Sequence, residues 1–221
     1  PNLISDVIIK DGEIVTTYNY TINYVPGTLI ITPAIGDELV VSGYTGIYDA
    51  LEHGVTVTGQ MSGDLIEYSL DGEEWSTTNP LFKDVSITTI YVRATNPSYT
   101  DRSGSAVVNI TPRPITVTAA SDNKVYDGIP LTNSSFSLTS GSLVEGHNLD
   151  VNVTGSQINV GSSPNIPSDA VLLEGEVDVT SNYAIIYVNG QLSVSPATGP
   201  SLTIESYNGV YDGEYHGIEL D

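Results

Sequence analysis

Tyr183-Ala184-Ile185-Ile186-Tyr187-Val188-Asn189-Gly190-Gln191-Leu192-Ser193-Val194 is the stretch that decides the fold. Two runs rich in β-branched and aromatic residues flank an Asn-Gly pair. Asn-Gly readily supplies the positive φ angles of a tight turn, so the expectation is a hairpin. Leu65-Ile66-Glu67-Tyr68-Ser69-Leu70, followed by Asp71-Gly72 and the Trp75 segment, carries the same signal. Shorter β-rich runs lie at 28–32, 39–41, 55–57 and 115–118. Runs of this kind recur about every 8–12 residues with turn chemistry between them, which predicts an antiparallel β-sandwich. No segment reads as a helix of more than a turn or two.

Working outward from that stretch, the same pattern returns 163 residues earlier. Asn182-Tyr183, Tyr187-Val188, Gly190, Leu192 and Pro196-Ala197 match Asn19-Tyr20, Tyr24-Val25, Gly27, Leu29 and Pro33-Ala34. Pro164-Asn165 matches Pro1-Asn2, and Ser168-Asp169 matches Ser5-Asp6. The same offset carries Tyr44, Gly46, Tyr48-Asp49 and His53-Gly54 onto Tyr207, Gly209, Tyr211-Asp212 and His216-Gly217. Of the 58 overlapping positions, 24 are identical. A fixed long period marks a domain array. The stretch is therefore expected to be a window on a longer repetitive protein, with any anchor or export signal outside it.

Proline-bearing joints divide the period. Pro112-Arg113-Pro114 is the first and Pro196-Ala197-Thr198-Gly199-Pro200 the second, the latter matched by Pro33-Ala34. Proline fixes φ and biases its neighbour toward extended backbone, so such joints are stiff. Four pieces are expected: residues 1–34 as the tail of a second-type domain, 35–112 as a complete first-type domain, 113–197 as a complete second-type domain, and 198–221 as the start of another first-type domain. The predicted fold class is all-β, a tandem array of small antiparallel immunoglobulin-like β-sandwich domains.

The chain holds 27 Asp and Glu against 6 Lys and Arg, a formal net charge of −21. Phosphate backbones need clustered cations, so nucleic acid is a poor partner. An anionic membrane surface is disfavoured for the same reason. There is no cysteine, so no disulfide framework is available. No apolar run approaches the length needed to span a bilayer.

Lys124-Val125-Tyr126-Asp127-Gly128 resembles the opening of the YDG-type repeats of large bacterial surface proteins. Asn182–Pro196 resembles the close of the MBG domain family. The piece 35–112 is similar to a companion repeat, on Tyr44, Gly46, Tyr48-Asp49, His53-Gly54, Asp71-Gly72, Trp75 and Ile90-Tyr91-Val92. The resemblance implies an extracellular setting on a bacterial cell surface, in an adhesin-like protein whose neighbouring repeats are each other's partners. One departure is Ala50, standing where Gly213 and Gly128 complete the motif. If that position needs φ > 0, alanine strains the turn.

The Tyr-Asp-Gly element, at Tyr48-Asp49, Tyr126-Asp127-Gly128 and Tyr211-Asp212-Gly213, reads as a structural turn. Asp bonds the backbone two residues on and Gly supplies the permissive conformation. His53 and His216 share a repeat position and His147 stands in the other domain type; one histidine with one carboxylate falls short of a metal site. Trp75, with Tyr68, Tyr91 and Tyr99 as aromatic neighbours, is the candidate ligand surface, since an exposed indole stacks on sugar faces. Asp6, Asp37, Asp122 and Asp169 near predicted loops are candidate calcium ligands, though no EF-hand pattern is present. Lys83 and Lys124 are candidates for intramolecular isopeptide links; Lys10 aligns with Leu173 and is not retained between repeats. No catalytic signature is found: no Gly-x-Ser-x-Gly, no His-Glu-x-x-His, no phosphate loop and no cysteine nucleophile. The expected function is a non-enzymatic stalk without cofactor that projects a distal domain. Weak multivalent binding of host glycan or mucin is the alternative, and a subunit of an extracellular fibre the second.

Overall fold

The computed structural model describes residues 4–203 and 207–217. Pro1-Asn2 of the repeat lies outside these, as do 204–206 and 218–221 of the last piece. The chain is all-β, with 48% strand. Two single-turn 3-10 segments, Thr17–Asn19 and Thr180–Asn182, are its only helical elements among the described residues. No helix there is long and apolar enough to cross a membrane. The chain forms two compact units: unit 1 is 1–46 with 51–110, and unit 2 is 47–50 with 111–221. The short segment 47–50 thus belongs to unit 2.

Unit 1 opens with a two-residue-per-strand hairpin, β1 (Lys10–Asp11) and β2 (Ile14–Val15). A small antiparallel pair follows from β3 (Val40–Ser42) and β5 (Thr56–Thr58). The main sheet has the order β4 (Tyr44–Ile47), β8 (Tyr99–Thr111), β7 (Ser86–Asn96), β6 (Leu65–Ser69). Ile90, Val92 and Ala94 alternate along β7 and are fully buried, as is Val108 on β8. That is the period-2 pattern of a strand with one face in a core. The Asp71-Gly72 hairpin is present as a wide loop: Tyr68 and Ser76 close it with paired backbone bonds of 2.7 and 2.9 Å, leaving 69–75 between them. Ser69 and Asp71 tie that loop internally, and Gly72 takes φ +81°.

In unit 2 one sheet runs β10 (Asp122–Val125), β16 (Gly190–Ser195), β13 (Gly161–Glu174), β12 (His147–Thr154), with β14 (Val177–Asp178) also on β13. The other runs β11 (Phe136–Ser140), β9 (Arg113–Ala119), β15 (Tyr183–Val188). β13 packs on both β9 and β15, so the sheets face each other. Ile115, Val117, Leu172, Leu192 and Val194 fill the space between, none more than 3% exposed.

Two sequence expectations need correction here. First, not every ladder is antiparallel: β9–β15 and β10–β16 are parallel. A parallel pair requires a long crossover, and local periodicity carries no trace of one. Second, Asn189-Gly190 is not a hairpin turn. It carries the chain from β15 in one sheet to β16 in the other. Gly190 has no positive φ. It is glycine because a Cβ there would sit 2.3 Å from the Ala120 carbonyl oxygen and 2.6 Å from that of Ala119.

The 163-residue period is visible in local geometry. Ile9 N–H donates to Thr17 Oγ1 at 2.8 Å, and Leu172 N–H to Thr180 Oγ1 at 2.8 Å. The residues before the two 3-10 turns have φ, ψ of −118°, 10° and −116°, 15°. Asp6 and Asp169 share a left-handed φ of 55° and 50°. Asp169 lies where β12 and β13 slip register, between the Asp150–Val171 and Asn152–Ser168 pairs, so its left-handed backbone sits at a bulge.

Candidate functional site

Trp75 is half-buried at the end of the 69–75 loop. Directly opposite each other on β6 and β7, Glu67 and Arg93 share a sheet face and form an ion pair at 2.8 Å. The Arg93 guanidinium lies over the Trp75 ring, 4.2 Å from its centroid. Cation–π attraction of this kind orients an indole without enclosing it. Two open clefts border the tryptophan. One, of about 460 Å³, is lined by Tyr68, Asp71, Glu74, Thr78 and Pro80 besides Trp75. The other, of about 390 Å³, is lined with Trp75 by Tyr91, Ser103 and Ser105. Of the aromatic neighbours named from the sequence, Tyr68 and Tyr91 are therefore brought to Trp75. Tyr99 lines neither cleft; it pairs with Asn96 beside the β7–β8 turn.

The loop that carries Trp75 is acidic and organised by one carboxylate. Asp71 accepts from Glu73 N–H at 2.8 Å, Glu74 N–H at 3.0 Å and Ser69 Oγ at 2.9 Å. The Glu73 bond, then the others, hold the Asp71 carboxyl below its ordinary pKa. At the other end of unit 1, Asp64 is a second organising carboxylate. Burial disfavours its charge, but donation from Met61 N–H, the Asn96 amide and Arg102 outweighs that and lowers its pKa. Arg102 also donates to the Gly59 and Asp37 carbonyls at 2.8 and 3.0 Å.

A second cluster lies in unit 2. Tyr48 is fully buried, its ring 5.7 Å from Tyr183 and 6.0 Å from His147. His147 Nδ1 and the Tyr183 hydroxyl hydrogen-bond at 2.7 Å, and Val144 N–H donates to the same hydroxyl at 3.1 Å. The Tyr48 backbone is gripped on both sides: its N–H donates to Thr111 O at 2.8 Å and its carbonyl accepts from Arg113 Nη1 at 3.3 Å. Arg113 is anchored on Ser142 through the backbone carbonyl at 2.6 Å and Oγ at 2.9 Å.

The three Tyr-Asp turns share a left-handed third residue: Ala50 at φ 62°, Gly128 at 77° and Gly213 at 82°. Asp127 accepts from Ile129 N–H at 2.9 Å and Asp212 from Glu214 N–H at 3.0 Å, two Asx turns of the same form. Their tyrosines differ: Tyr48 is 0% exposed, Tyr126 42% and Tyr211 94%. His53 stacks on Tyr44 at 3.6 Å and 8°, and His216 on Tyr207 at 3.8 Å and 11°. Gly46 and Gly209 permit this, since a Cβ at either would meet the folded-back tyrosine hydroxyl at 2.3 or 2.2 Å.

Among the described residues no group of three or more His, Asp or Glu side chains gathers in a form that could hold a metal ion. The calcium candidates are dispersed. Asp122 binds Asn123 N–H and the Asn133 amide, and Asp169 binds Ser168 Oγ. Lys124 pairs with Asp127 at 2.6 Å on the surface, where the Asp side chain is half exposed. Sequence reasoning missed the arginines. In a chain with 6 cations among 27 carboxylates, each arginine is a rare resource. All three are staples: Arg93 on Glu67 and Trp75, Arg102 on Asp64 and two carbonyls, Arg113 on Ser142 and Tyr48.

No protein-family model matches the chain, and no curated protein does so either.

Proposed function

We propose that this chain is a structural spacer, a run of alternating immunoglobulin-like β-sandwich modules in the stalk of a large bacterial surface protein of the MBG/YDG type. The observation that carries this reading is the recurrence, at a fixed offset, of hydrogen bonds, backbone angles and ring stacks as well as residues. Repetition of local geometry at a fixed long offset is what an array of like modules needs, and a single reactive site does not need it. Arginines committed to internal staples, a uniformly acidic composition and proline-bearing joints fit the same reading. The reading assigns the segment no catalysis and no cofactor, and makes neighbouring repeats its partners. Strand-length modules add on the order of 30–40 Å each when strands run along the array. Small-angle scattering of the chain in solution tests it: an elongated, concentration-independent profile is expected, and a compact globule would overturn it.

A second reading, weak binding of host glycan through copy number, is favoured by one observation. Trp75 borders two open clefts that also present Tyr68 and Tyr91. Against it, Arg93 already lies over the indole ring. A multivalent display of the chain on a glycan and mucin array decides between them: saturable binding lost in Trp75→Ala supports adhesion, and binding unaffected by Trp75→Ala removes this site.

A further inference from the structure

Segment 207–217 repeats the local build of 44–54, yet among the described residues its central tyrosine is left exposed. Tyr48 fills a pocket of unit 2 made by His147 and Tyr183, with its backbone held by Thr111 and Arg113. Tyr211, the same position one period on, is 94% exposed. The elements around it are already formed. Tyr207 and His216 stack as Tyr44 and His53 do, Gly213 holds the left-handed φ that Ala50 holds, and Asp212 accepts from both Glu214 N–H and His216 Nε2.

We infer that the Tyr-Asp turn is a plug, and that Tyr211 is shaped to enter the His–Tyr receptacle of a further domain of the unit 2 type. The occupant follows from chemistry already displayed at Tyr48. A buried tyrosine ring edge-on to a second tyrosine and near a histidine stabilises through area and ring geometry together. The arginine on the backbone carbonyl adds a charge-assisted bond that needs only a main-chain oxygen, so it is indifferent to the side chains that differ between the copies. Those differences, Thr45 to Asn208, Ile47 to Val210, Ala50 to Gly213, Leu51 to Glu214 and Glu52 to Tyr215, leave Tyr44, Gly46, Tyr48, Asp49, His53 and Gly54 in place. The conserved set is the set that shapes and presents the tyrosine. This inference rests on the array reading for the further unit 2 domain, while the recognition it claims is tested on this chain's own receptacle, so the two can fail separately.

Two experiments test it. In the first, residues 44–54 of the full chain are replaced by the sequence of 207–217, and tyrosine nitration is followed by mass spectrometry. Tyr48 should stay protected in the exchanged chain as in the wild type, reacting about tenfold or more slowly than Tyr211. Nitration of the two at equal rates in an otherwise folded exchanged chain would overturn the proposal. In the second, a peptide of 207–217 is titrated into the full chain carrying Tyr48→Ala. Saturable one-to-one binding is expected, lost in the Tyr211→Ala peptide and weakened at least about tenfold against the wild-type chain, whose receptacle is filled. Equal binding of the Tyr211→Ala peptide, or no binding to a vacated and folded receptacle, would count against it. Should Tyr48→Ala fail to fold, the exchanged chain alone decides.

Discussion

Ala50 should be the easiest place to make this protein more stable. It holds φ 62° in a turn whose counterparts are Gly128 and Gly213, at 77° and 82°. A left-handed conformation costs an L-residue about 1–2 kcal/mol. Glycine removes that strain but loses more backbone entropy on folding, an opposing effect of about 0.4–1 kcal/mol. The net expectation for Ala50→Gly is a gain of about 0.5–1 kcal/mol, a few degrees in Tm for a unit of this size. No new contact is involved, so the gain is purely conformational. The reverse change at Gly128 is the control, because a Cβ there meets nothing within 4 Å. Gly128→Ala should therefore cost about the same 0.5–1 kcal/mol, with no steric contribution. Urea unfolding of both variants against wild type, followed by near-UV circular dichroism, reads both numbers. Ala50→Gly found neutral or destabilising, with Gly128→Ala free of cost, would refute the argument that φ controls these turns.

Other substitutions probe the packing. Tyr48→Ala removes a fully buried ring; at about 25 cal/mol per Å² and 150–250 Å² the transfer loss is about 4–6 kcal/mol, nearer 3–5 after allowing for a compact unfolded state. Hydrogen exchange at 47–50 and at His147 should rise together, and a loss below about 1 kcal/mol would mean the ring is not buried as described. Gly190→Ala forces a methyl against two carbonyl oxygens and should cost about 1–3 kcal/mol by overpacking, seen as a lower urea midpoint. Acid sensitivity has a defined sign. Asp64 and Asp71 have lowered folded pKa values, so the stability they contribute is present above the ordinary carboxylate value near 4 and lost as pH falls through the folded values. Asp64→Asn should flatten the dependence of the urea midpoint on pH below about 4, and an unchanged slope would contradict it.

Much of the strand content was legible because it depends on neighbours in sequence. Ile90, Val92 and Ala94 alternate, and they alternate into the core. Ala50 stood out against its repeat partner, and its backbone is left-handed. What was not legible depends on distant chain. Asn189-Gly190 announces a reversal, but whether the reversal closes a hairpin or changes sheets is decided by what lies beside it. Gln191 N–H donates to Ser121 Oγ at 3.0 Å across 70 residues, and the Ala119 and Ala120 carbonyls crowd the glycine. Similarly, Tyr99 carries the aromatic signal of Tyr91 yet sits at the far end of the β7–β8 hairpin from Trp75's clefts. The Arg93–Trp75 stack was hidden because the arginine's strand and the tryptophan's loop are joined only by the register of β6 on β7.

The Tyr-Asp turns separate these two kinds of information within one motif. Their backbone is the same three times over: a left-handed third residue each time, and a carboxylate capping the N–H two residues on at both Asp127 and Asp212. That part is local, and sequence suffices for it. The tyrosine is 0% exposed at 48, 42% at 126 and 94% at 211. Nothing within the motif accounts for that range, since the left-handed third residue is common to all three turns and the surroundings decide what covers the ring. At 48 the cover is His147 and Tyr183. A turn that presents a large ring at full exposure leaves unburied the several kcal/mol that the same ring gains at 48. The motif is therefore best understood as a connector whose free energy is realised only when a receptacle is present, which is why its geometry recurs while its burial does not.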